Sequence, residues 1–207
     1  RTAYFITEKI CKAFVHPDPN PAEVEKLARH FWEKDYDISA LMEAIFRSDW
    51  FFETAHHGSL IVSPAEMIVR HSRLLQIQWK DEKRLVQLQH VLGQVLFYPP
   101  NVAGWPGGRH WIDGSTLLIR SNLPLQYWQA YTGRNRKLAK DIQLHPEVAD
   151  ADDDLATWLT QQAERLLRVP VPDSDLSTIQ QRSIRQRKAP KVAALLSLLS
   201  LPEAQLI

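Results

Sequence analysis

The sequence is short of glycine, of cysteine and of long apolar runs, and each shortage removes a class of protein. Its 7 glycines in 207 residues are about half the ~7 % of average globular composition, which excludes a collagen-like or glycine-linker chain. A single cysteine, Cys11, rules out an internal disulfide and leaves the redox compartment open. No stretch approaches the ~18 consecutive apolar residues of a membrane-spanning helix; the longest apolar run, over 192–201, is broken by Ser197 and Ser200. Charge of one sign is also lacking. With 25 Lys and Arg against 24 Asp and Glu, a net charge of +1, the chain as a whole has no field for nucleic acid or anionic lipid. At this length it can bury roughly 70 % of its unfolded surface without metals or cross-links. It begins at Arg1 with an amphipathic segment almost at once, so it reads as a fragment or processed chain, any targeting segment lying upstream.

What is there is helical periodicity, cornered by 13 prolines. Ile6, Ile10 and Phe14 lie four apart, with Cys11 and Ala13 beside them, and predict a first helix closing near Val15. The run from His16 through Pro17 and Pro19 ends it. Asn20 then reads as the N-cap and Pro21 as the first residue of a second helix, with the stripe Val24, Leu27, Ala28 and Phe31. Asp37 caps a third. Ser63 and Glu66 form a capping box for a fourth, which turns Met67, His71, Leu74 and Leu75 inward. Asp81 starts a fifth, with Leu85, Leu88, Val91, Leu92, Val95 and Leu96 inward and Gly93 as a close-packing point. Asp113 or Ser115 caps the next, which Pro124 closes or which gives way there to another. Asp150, Asp152, Asp153 and Asp154 read as the acidic start of a helix carrying Trp158, Leu159, Leu166 and Leu167. Two more helices follow, over 176–187 and 190–201.

The fold class expected is therefore all-α: a multi-helix globular array forming one domain over 1–207, interrupted by one long Pro/Gly/Trp-rich structured loop. A three-helix unit reads as occurring twice, over 3–53 and 155–207, flanking a central segment 54–132. Pro17, Pro19 and Asn20 match Pro170, Pro172 and Asp173 at one constant offset. The alternative is chance alignment of amphipathic helices.

The loop holds the densest set of functional side chains: Tyr98, Asn101, Trp105, Arg109, His110, Trp111 and Asp113, with Arg120 on the helix behind it. As a binding surface, Trp105 and Trp111 stack on sugar rings or peptide prolines while Asn101, Asp113 and Arg109 give directional hydrogen bonds. As pure structure, the two rings plug the core and Arg120 pairs with Asp113. No spacing approaches a zinc signature, so no metal or other cofactor is expected. His56-His57 is an adjacent pair on a loop, and His71 reads as a buried, hydrogen-bonded histidine rather than a ligand with His90 and Glu66. Cys11 reads as an inert core thiol. Ser115, His110 and Asp113 are close in sequence without any geometry to make a triad. The basic segments 134–140 and 182–191 read as a solvated helix face or a seam to the N-terminal half, and the second contains no interleaved aromatics, which argues against base stacking; no nucleic-acid partner and no transmembrane segment are expected.

The run Leu96-Phe97-Tyr98-Pro99-Pro100-Asn101-Val102-Ala103-Gly104-Trp105-Pro106-Gly107-Gly108, continued by Trp111 and by Ser115-Thr116-Leu117-Leu118-Ile119-Arg120, closely resembles the signature of the bacterial family called domain of unknown function 1800. Weaker resemblances lie at Ser48 to Phe51, at Ser63-Pro64-Ala65-Glu66 and over 199–205. Two departures stand out. Val62 occupies a position where many members carry a basic residue, and Ala204 or Gln205 replaces a Phe of the final element. The resemblance implies the C-terminal half of a protein about twice as long, exported to the periplasm or cell envelope, with no established activity. The functional reading is a structural or binding region whose 98–113 loop meets a carbohydrate or protein ligand, its first partner being the N-terminal half. The alternative is part of an enzyme, to which this half gives Trp105, Arg109, His110 and Asp113.

Overall fold

Side-chain caps set the starts of five of the ten α-helices among the described residues. In the computed structural model, which describes residues 1–146 and 154–207, the Asn20 side chain accepts the Ala22 N–H at 2.9 Å and Asp37 accepts that of Ser39 at 2.8 Å. At Ser63 the box is reciprocal: the Glu66 N–H donates to the hydroxyl and the Ser63 N–H to the Glu66 carboxylate. Each bond satisfies an amide that the helix itself leaves without a partner. The result is an all-α, multi-helix fold, 64 % helical and with one two-stranded sheet among the described residues.

The chain divides into two compact units, Arg1–Leu60 and Ile61–Ile207. The first contains α1 (Thr2–Phe14), α2 (Pro21–Glu33) and α3 (Ile38–Phe46). Their apolar stripes meet in a core of Cys11, Val24, Phe31, Leu41, Ile45 and Trp50. Here Pro21 occupies the first helical position, where its missing N–H leaves nothing unsatisfied.

The second unit contains α4 (Pro64–Leu74), β1 (Gln78–Trp79), α5 (Glu82–Leu92), α6 (Gly114–Tyr131), α7 (Leu138–Asp141), β2 (Ile142–Gln143), α8 (Leu155–Leu166), α9 (Asp173–Ile184) and α10 (Pro190–Leu199). The strands pair antiparallel, Gln78 opposite Gln143 and Trp79 opposite Ile142. α10 is apolar on nearly every side, the pattern of a central helix, and α6, α8 and α9 pack on it. The unit also closes on itself. Ile61 bridges Leu206, and the Val62 N–H donates to the Gln205 carbonyl at 2.9 Å.

Three expectations need correction. α6 continues through Pro124, although a proline removes one ladder bond and crowds the carbonyl four residues back. Pro124 is buried, and packing of α6 against α10 keeps the helix running on both sides of it. α5 stops at Leu92, short of Val95 and Leu96, and in it only Leu92 is buried; Leu85 and Leu88 are half-buried and Val91 is exposed, while beyond it Val95 is half-buried and Leu96 exposed. The helix stands proud of the core, with clefts of about 310 and 340 Å³ that share Trp79 as a wall and take their other walls partly from α5. Gly93, finally, is no packing point: a Cβ there would meet nothing within 4 Å, and its φ of +85° makes it the left-handed cap of α5. Of the acidic run, Asp150, Asp152 and Asp153 lie outside the described residues, and Asp154 occupies the N-cap position of α8 without a side-chain cap bond.

Candidate functional site

Hydrogen bonds from α5, from the start of α4 and from its own side chains shape the 93–113 segment. Gln89 accepts the Leu96 N–H at 3.0 Å, and Gln94 accepts the Ala65 N–H at 2.9 Å, which ties the loop to the start of α4. Asn101 folds the next turn: its side chain accepts the Ala103 N–H at 2.8 Å and its carbonyl the Gly104 N–H at 3.0 Å. A single turn of tight helix over Gly108–Trp111 follows, with His110 Nδ1 against the Gly107 carbonyl at 3.2 Å. Gly107 has φ +73°, a backbone conformation that a side chain would strain.

These constraints separate the residues that sequence reasoning grouped. Tyr98, Asn101, Arg109 and His110 are exposed, Trp105 is half-buried, and Trp111 is buried. Asp113 is exposed but occupied, accepting the Ser115 and Thr116 amides at 2.7 and 2.8 Å as the cap of α6. Those bonds, with Thr116 first, hold its carboxyl below the usual carboxylate range. The clefts described in this unit are lined by residues outside 98–113.

Arg120 does not pair with Asp113. Seven residues along a helix is about 10 Å of rise, and the Asp113 carboxylate already holds two amides. Arg120 is instead fully buried. Its Nε donates to Gln205 Oε1 at 2.7 Å and its Nη2 to the Val62 carbonyl at 2.6 Å, while Nη1 has no partner. Burial lowers its pKa to about 10, so it stays charged near neutrality. The ion pairs among the described residues are surface pairs within α1, α2 and the end of α3; Arg120 is balanced by carbonyl dipoles alone.

Two more buried polar residues belong to the same unit. His71 meets Tyr127 edge to face at 5.8 Å. It is buried as expected, but its Nδ1 finds no hydrogen bond, and the Tyr127 hydroxyl is also without one. Burial, then the nearby Arg70 and Arg120 charges, lower the His71 pKa to about 3, and burial pushes the Tyr127 hydroxyl up. A histidine on the apolar face of α4 was the one sequence signal for this cluster; Gln205 and Tyr127 gave none.

In the first unit, His56 lies between His16, 5.6 Å between ring centroids, and Trp50, at 5.2 Å. Among the described residues, no three of His, Cys, Asp and Glu are grouped to hold a metal ion. Cys11 is buried, which pushes its thiol up to about 11 and leaves it inert at neutral pH.

The sequence profile of a family described as "Protein of unknown function (DUF1800)" matches residues 1–206. No curated protein and no solved structure matches the chain.

Proposed function

The chain belongs to the DUF1800 family of proteins of unknown function, and on that premise we propose that it is a structural and binding region of an exported bacterial protein, its 96–113 segment forming a partner surface. The observation that carries this is Phe97. The residue is 98 % exposed and has φ +65°, a left-handed conformation that costs a non-glycine residue roughly 1–2 kcal/mol. A strained backbone that presents an aromatic ring to water is the pattern of a surface kept for contact. Leu96, Tyr98 and Val102 beside it are exposed as well.

The partner this surface suits is a polypeptide with apolar side chains, and the other half of the longer family protein is the first candidate. A carbohydrate is the second, taken by Trp105 with Arg109 and His110. By resemblance, the site of action is the periplasm or cell envelope.

A photo-crosslinking phenylalanine analogue at position 97, with Lys140 as the exposed control position, tests this in producing cells. Cross-links to polypeptide at 97 and not at 140 support the reading. Equal labelling at both positions, or none at 97, removes it.

A further inference from the structure

Three clefts of about 270, 510 and 630 Å³ in the Ile61–Ile207 unit share two lining residues, Trp128 and Arg134. They therefore surround one spot on the surface, at the C-terminal end of α6. The sequence separates the two basic segments by some fifty positions, and the fold brings them together here. Arg134 and Arg136 come from the turn after α6; Arg182, Arg185, Arg187 and Lys188 come from the end of α9 and just beyond it.

The grouping is one-sided. Among the described residues no Asp or Glu lines any of the three clefts, and none of the six cations makes an ion pair. In a chain of net charge +1, so local an excess attracts anions selectively. Five of the six are arginines, whose planar forks match phosphate oxygens two at a time. Ser183, 1 % exposed, lines one of the clefts with a hydroxyl that has no partner, a further donor for a polar ligand.

The aromatic component that the basic segments lack in sequence arrives from α6. The Trp128 and Tyr131 rings stack at 6.0 Å with 29° between their planes, and both line the largest of the three clefts. Sequence-tolerant binding of a nucleic-acid strand needs a succession of such platforms. A single ring pair with concentrated charge beside it fits one ring and one short anionic tail.

We propose that this groove binds a nucleotide-like ligand, with its flat ring on the Tyr131–Trp128 pair and its oligophosphate among Arg134, Arg185, Arg187 and Lys188.

Isothermal titration with ATP, tripolyphosphate and adenosine tests it on the whole chain. ATP binds about tenfold more tightly than tripolyphosphate, the increment of one stacked base; adenosine binds more weakly still, and added salt weakens both anions. Arg185→Gln with Arg187→Gln, both exposed, weakens ATP and tripolyphosphate together by about tenfold or more. Tyr131→Ala brings ATP down to the level of tripolyphosphate and leaves tripolyphosphate unchanged. Equal binding of ATP and tripolyphosphate, indifferent to Tyr131→Ala, overturns the proposal in favour of a plain anion patch. A single-stranded oligonucleotide or a sulfated oligosaccharide that binds far more tightly than ATP assigns the groove to a polymer and overturns it also, as does no binding of ATP at low salt.

Discussion

Arg120 and Gln205 are 85 positions apart in the sequence and 2.7 Å apart in the fold. Between them lies Val62, whose carbonyl accepts from Arg120 and whose N–H donates to the Gln205 carbonyl. One buried side chain on α6 thus fastens the beginning and the end of the second unit. Its charge is neutralised by no carboxylate among the described residues, so the hydrogen-bond geometry must offset its desolvation.

Arg120→Ala removes both bonds, leaves the Gln205 and Val62 oxygens without a donor and opens a void. Urea denaturation is expected to show a loss of about 3 kcal/mol or more. Arg120→Lys keeps the charge but reaches only one of the two acceptors, and is expected to lose less. Equal losses for the two variants would mean that the fork, and not the charge, matters.

His71 makes stability depend on pH. Its folded pKa of about 3 lies below the ordinary 6.5, so the unfolded chain takes up the proton first as pH falls. The contribution is complete above pH 6.5 and is lost between 6.5 and about 3, with a slope that approaches ~1.4 kcal/mol per pH unit. Urea midpoints measured at pH 7, 5 and 4 are expected to fall in that order, and His71→Leu to flatten the trend.

Leu92 is the one fully buried side chain of α5, with Leu85 and Leu88 packed half-buried against the same core. Leu92→Ala is expected to cost about 2–5 kcal/mol, the range for a fully buried leucine, whereas Val91→Ala, exposed next to it, is expected to stay within about 0.5 kcal/mol. Thermal unfolding of the two variants checks the contrast. A large effect at Val91 would show that the helix packs more closely than this.

Local chemistry was legible in the sequence. Asn20, Asp37, Ser63, Asp81 and Asp113 each cap the helix that the pattern assigned to them, because a cap needs only its own next three residues. What stayed hidden depends on residues distant in the chain. Nothing near Arg120 indicates Val62 or Gln205, so nearby Asp113 looked like its partner. Trp105 and Trp111 are six positions apart and look equivalent, yet only Trp111 is buried. The apolar period of α5 is regular, but amphipathicity cannot say how much of a helix's stripe its neighbours will cover. The 182–191 segment looked barren of aromatics because Trp128 and Tyr131 belong to another helix some fifty positions earlier.

The bridge between Ile61 and Leu206 makes the second unit a ring in all but covalent connection. A body whose entry and exit lie side by side can be spliced into a surface loop of a host protein without prying the host apart. Its ends can equally be joined by a short peptide and reopened elsewhere, for instance in the loop around Val102, without the chain having to span the molecule. Evolution or an engineer can thus move residues 61–207 as one cassette.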